Sequence, residues 1–131
     1  MNIQTFFTLY AISLPVFFII DIIWLGFIAS SFYRDRMGDL FQINWTASII
    51  FYFVFLVGLT LFATYPNLDK GWQMVLLYGA LFGFFTYATY DLTNLATLKD
   101  WPLDMVIVDI IWGTVLGGSV AVVTYFIYGW F

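Results

Sequence analysis

Cysteine and histidine are both absent from the 131 residues, and lysine and arginine together number only 4. Without the first two there is no disulfide, no thiol chemistry, no Fe–S ligation, no His-bound haem and few of the usual ways to hold zinc. Any bound metal would have to accept oxygen ligands. The lack of cysteine leaves the redox compartment open. Scarce cations leave no basic patch, and so exclude a nucleic-acid partner. The formal net charge is −4, from 4 basic and 8 acidic residues.

Charge of either sign is in short supply. Only 9% of the chain is charged, against about a quarter in a soluble domain. So few charges cannot coat a water-exposed globule, but they can decorate short loops between buried spans. What the chain has instead is 63% hydrophobic residues and 24% aromatics, with 16 Phe, 9 Tyr and 6 Trp. Its mean hydropathy is +0.96. That composition suits a lipid-facing surface with Trp and Tyr near the headgroups, and makes the lipid bilayer the expected partner.

A helix rises about 1.5 Å per residue, so about 20 residues cross a hydrocarbon core about 30 Å thick. Four stretches meet the requirement, at about residues 6–30, 45–65, 72–97 and 103–128. The expected fold is an all-α integral membrane protein, a four-transmembrane-helix antiparallel bundle in a single membrane domain of residues 1–131. The start, Met1-Asn2-Ile3-Gln4-Thr5, carries no charged side chain, so the first apolar run is expected to be a retained helix and not a signal peptide. Pro15 falls in the middle of that helix, where Ser13 is a candidate to satisfy the freed carbonyl. A loop is expected over residues 31–44. Pro66-Asn67 ends the second helix. Pro102 fits the first turn of the fourth, with Asp100 as its candidate cap. A β-barrel needs alternating segments about ten residues long; these runs are apolar on both parities.

Arg34, Arg36 and Lys99 lie in the first and third loops and Lys70 in the second. The positive-inside rule then puts the first and third loops in the cytoplasm and both termini outside.

Three aspartates fall inside the spans: Asp21, Asp91 and Asp109. An ionised Asp near a helix centre costs about 2.5–3.5 kcal/mol on insertion scales, so three of them call for compensation. All three lie in the half of the bilayer nearer Arg34, Arg36 and Lys99. Tyr87, Tyr90, Asp91 and Asn94 share a face of the third helix. On the fourth, Asp109, Gly113 and Gly117 recur every four residues. Asp21-Ile22-Ile23-Trp24 repeats as Asp109-Ile110-Ile111-Trp112, which puts an Asp and a Trp on one face of two helices. Gly79 and Gly83 have the spacing that lets helices approach closely, and packing is their expected role.

No Lys or Arg stands within a span, which excludes a retinal Schiff base. The aspartates are therefore neutral acids, or reached by a basic side chain from the loop, or ligands of a cation. As structural residues they would serve as interhelical hydrogen-bonding glue. As a site, Asp21, Asp91, Asp109, Asn94, Tyr87, Tyr90, Trp24 and Trp112 would bind a substrate or ion.

The Asp-x-x-Trp-Leu-Gly of helix one, the segment Tyr87-Ala88-Thr89-Tyr90-Asp91-Leu92-Thr93-Asn94-Leu95-Ala96-Thr97, and Trp101-Pro102 followed by Asp109-Ile110-Ile111-Trp112-Gly113 together resemble a small prokaryotic family. Its members are four-helix membrane proteins grouped as domain of unknown function 2177. The resemblance covers essentially the whole chain. It implies a multi-pass protein of a bacterial or archaeal inner membrane and supplies no activity.

Three functions fit these residues. One is a small transporter or permeation unit, coupled to a proton or cation and working as a homo-oligomer because four helices are few for a pathway. Another is an enzyme acting on a lipid or prenyl substrate with Mg²⁺ or Mn²⁺, for which Asp91, Asp104 and Asp109 are the metal candidates, with Asn94 and Asp100 nearby. The last is a non-catalytic accessory subunit of a membrane complex.

Overall fold

The computed structural model describes the backbone of residues 1–131 and every side chain except that of Ile28. Helix α1 spans Ile3–Ile23. It starts before residue 6 because Asn2 caps it, the Asn2 Oδ1 accepting from the Thr5 N–H at 3.2 Å. The helix runs through Pro15 unbroken. Pro15 leaves the Ala11 carbonyl without its usual donor, but Ser13 Oγ donates to the Tyr10 carbonyl, at 2.7 Å.

The expected first loop is mostly helical. A π-helical turn covers Trp24–Ala29, closed by the Ser30 N–H on the Leu25 carbonyl. Helix α2, Ser30–Met37, follows at once, and Gly38 ends it with φ at +56°. A 3-10 turn, Gly38–Leu40, completes the segment. Hydropathy stops at the charged residues, yet charge ends a membrane span and not a helix; Arg is a good helix former.

Helix α3 spans Trp45–Leu59, capped by Asn44 Oδ1 on the Ala47 N–H at 3.1 Å. It continues as a π-helical turn, Thr60–Thr64, and a 3-10 turn, Tyr65–Asn67, where Pro66 stops it. Helix α4 spans Trp72–Thr97 and α5 spans Leu103–Tyr128. Asp100 does not cap α5: it sits at φ +61° in the turn, and Pro102 occupies the cap position without a side-chain bond. Asp, with its short polar side chain, is among the few non-glycine residues that visit this region routinely.

Among the described residues four segments are long and apolar enough to cross a membrane: Ile3–Phe27, Trp45–Asn67, Trp72–Thr97 and Leu103–Tyr128. Their outer faces carry Ile19, Ile22, Val54, Phe62, Phe85 and Ile111, each about 60% exposed. An exterior this apolar is stable in lipid and not in water. Several hydroxyls on the spans bond within their own helices, as lipid favours: Thr86 donates to the Phe82 carbonyl at 2.8 Å and Thr114 to that of Ile110 at 2.8 Å, while the buried Thr124 hydroxyl has no partner.

The closest packing is between α4 and α5, where glycines face each other. A Cβ on Gly79 would lie 2.6 Å from the Gly117 carbonyl oxygen, and one on Gly83 would collide with that of Gly113. Helix α1 packs on α5, and Phe17, Leu56, Leu59, Val75, Leu116 and Val120 fill the core between the helices. The second half of α3 joins this core through Phe55, Leu56 and Leu59, whereas Trp45, Ile49 and Ile50 in its first half are exposed. That splay leaves a space among α1, α3, α4 and α5. Helix α2 lies over its end, its Phe32, Tyr33 and Met37 packed on Trp101, Met105 and Val106.

Candidate functional site

The space is a cavity of about 480 Å³. Asp21 and Trp24 reach it from α1 and the turn that follows, Asp109 and Trp112 from α5, and Tyr87 and Tyr90 from α4. The repeated Asp-Ile-Ile-Trp thus comes together from two helices running in opposite directions. Its two indoles stack face to face, with centroids 4.3 Å apart and planes 6° from parallel. Trp112 and Tyr52 flank the Asp21 carboxyl.

Asp91 lies just behind the cavity wall. It is 1% exposed, and its carboxyl meets that of Asp109. Its Oδ2 has no hydrogen-bond partner. Two carboxylates offer only acceptors to each other, so the contact needs a proton or another donor. Asn94 is half-buried beside Tyr90, one turn further along α4, and does not reach the cavity wall. Tyr90 does reach it, but is 56% exposed and so stands at its mouth.

Tyr33 was not among the residues singled out from sequence, yet it is central. Its Oη donates to Asp109 Oδ1 at 2.7 Å. Burial, and after it the Asp109 carboxylate, push the phenol above its usual value, so it stays protonated and remains a donor. The π-helical turn explains its placement. Twelve residues at about 100° each would set Tyr33 roughly 120° from the face of Asp21; one extra residue in the wide turn brings it back by about 100°. Phe51, Tyr52 and Ser48 of α3 complete the wall opposite.

Of the three metal candidates Asp91 and Asp109 meet, but Asp104 does not join them. Asp104 is turned to the surface, where its Oδ2 accepts from Arg36 Nε at 3.0 Å and its Oδ1 from the Met105 N–H at 2.8 Å. Among the described residues no three acidic side chains are placed to hold a metal ion. Asp100 lies in the turn before α5. An exposed pair such as Arg36–Asp104 contributes about 0–1 kcal/mol. Asp104→Asn is therefore expected to leave the melting temperature in detergent within a few degrees of wild type, and any activity of the cavity intact.

A second hollow, of about 720 Å³, lies at the other end of α1 and is walled by residues such as Phe7, Ile12, Ile19 and Ile127. It carries no titratable group and reads as a lipid-facing groove.

The fold and cavity together define a four-helix integral membrane protein with a polar chamber built from acidic and aromatic side chains. The chain belongs to the family described as predicted membrane protein, DUF2177, whose match spans residues 6–126. No curated protein and no solved structure matches it.

Proposed function

We propose that this protein is a small proton- or cation-coupled transport or permeation unit of a prokaryotic inner membrane. One observation carries the reading. Carboxyls from α1 and α5 open into a single intramembrane cavity, with that of α4 directly behind, and no Lys or Arg lines it. Acid groups held in low dielectric without a built-in cation demand a mobile one. A proton between the Asp91 and Asp109 carboxyls would supply the donor their contact lacks, and Asp21 places a further carboxyl on the same cavity. The other titratable groups facing this cluster are Tyr33, Tyr52, Tyr87 and Tyr90; the nearest charged pair, Arg36–Asp104, is satisfied outside it. Exchange of the proton for another cation would change the charge behind Tyr33, the contact by which α2 holds the end of the chamber.

The test is flux in liposomes. Purified protein is expected to pass protons or monovalent cations down an imposed gradient, and Asp109→Asn to reduce the rate to that of empty vesicles. Absence of flux for every ion tested, from protein that is folded, would contradict the proposal.

We also propose that the first and third loops face the cytoplasm, where Arg34, Arg36 and Lys99 would sit. With no native cysteine, single replacements report cleanly. In intact cells a membrane-impermeant maleimide is expected to label Asp69→Cys and not Asp39→Cys; the opposite pattern would invert the topology.

A further inference from the structure

Resting on the reading above, we propose that the substrate of this cavity is an organic ammonium cation, a protonated or quaternary amine. The size of the chamber argues first. At about 480 Å³ it falls within the range of small-molecule sites, about 300–1,000 Å³, and is far larger than an inorganic ion needs. The donor chemistry argues second. A hard metal ion takes six to eight oxygens, or near-octahedral oxygen coordination, whereas the carboxyls on this wall stand among indoles and phenols, and among the described residues no three acidic side chains are grouped to hold a metal ion.

The walls argue third. Trp24, Trp112, Tyr52 and Tyr87 line the cavity together with Asp21 and Asp109. Aromatic faces attract cations through their quadrupole, Trp best, and most strongly where water is excluded. The indoles of Trp24 and Trp112 are stacked on each other and both line the cavity with the two carboxyls, so the unstacked face of each is the one free to meet a cation. A diffuse cation with an apolar shell satisfies both kinds of wall at once. A hydrated alkali ion leaves the aromatic wall unused, and a neutral apolar ligand leaves the carboxyls bare.

The ammonium could belong to a free solute or to a lipid headgroup, and the experiment separates them. Protein in phosphatidylglycerol nanodiscs is titrated with benzyltrimethylammonium and with neopentylbenzene, its neutral isostere. Binding is followed by tryptophan fluorescence and checked by equilibrium dialysis. The cation is expected to bind saturably and at least tenfold more tightly than the isostere. Asp21→Asn is expected to weaken it about tenfold or more, and Trp24→Leu severalfold. Trp24→Phe keeps an aromatic face and is expected to lose less than Trp24→Leu, which tests the wall without relying on a variant that might misfold. Adding phosphatidylcholine to the disc assigns the site to a headgroup if the probe is displaced, and to a free solute if it is not; both outcomes support the ammonium class.

Equal binding of the two isosteres, or no saturable binding of the cation to folded protein, would overturn the inference. Proton or alkali-ion flux that persists in that case would leave the transport reading standing. Ammonium binding without any flux would do the reverse.

Discussion

Asp109→Asn is expected to remove essentially all cation flux while leaving the protein folded. Asp109 is where the site's elements meet: it lines the cavity, accepts from Tyr33 Oη at 2.7 Å, and meets the Asp91 carboxyl. Asn has nearly the same shape. Its amide oxygen can still accept from Tyr33, and its NH₂ can donate to Asp91, so the bond holding α2 and the contact with α4 both survive. What is lost is the ability to carry a negative charge or a transferable proton. A structural Asp serving only as interhelical glue predicts the contrary: Asn substitutes for it and function is kept. Flux and melting temperature, measured on the same preparation, separate the two. Loss of flux with the melting temperature within a few degrees of wild type is the expected pair of results.

Gly83→Ala is expected to be the most destabilising single methyl group in the chain. Its Cβ would run into the Gly113 carbonyl oxygen, with the Gly117 Cα at 3.3 Å. Backbone cannot rotate aside as a side chain can, so α4 and α5 must separate along their length. Overpacking typically costs about 1–3 kcal/mol, and a backbone-to-backbone clash in the tightest interface belongs at or above the top of that range. The neighbouring Gly113→Ala is a similar case. Its Cβ meets the root of the Tyr87 side chain, with the Tyr87 Cβ at 2.6 Å, which no side-chain rotation moves, so α4 and α5 must give way there too. Gly26→Ala is the control, since nothing lies within 4 Å of its Cβ. Melting in detergent is expected to place Gly83→Ala lowest and Gly113→Ala also well below wild type, with Gly26→Ala at wild type.

The parts of this structure that could be read from sequence are those set by one-dimensional physics. Hydropathy and Pro102 place α4 and α5, because a span needs a fixed length and proline a fixed position. The Asp-Ile-Ile-Trp repeat, with the cost of an acid in lipid, points to Asp21 and Asp109 as inward-facing, and the structure seats both on the cavity wall. What could not be read depends on register or on distant partners. Tyr33 stands beyond the charge that ends the first span, and only the extra residue of the wide turn aligns it with Asp21. Asp104 shares its spacing with Asp100, yet Arg36, 68 positions away, claims it. The stacking of Trp24 on Trp112 required knowing that α1 and α5 are neighbours, which no single-chain periodicity reveals. Asn94 has the right face of α4 but the wrong depth, lying a turn past the cavity.

The central claim is that acid groups from separate helices share one water-accessible chamber inside the bundle. Absence of native cysteine makes it directly measurable. In the double variant Asp21→Cys/Asp109→Cys, a short, water-soluble, thiol-specific cross-linker is expected to join α1 to α5 within one chain, giving a single linked peptide pair by mass spectrometry. Two unreacted thiols, or two singly modified ones in a protein that still melts cooperatively, would mean that these positions neither meet nor face water.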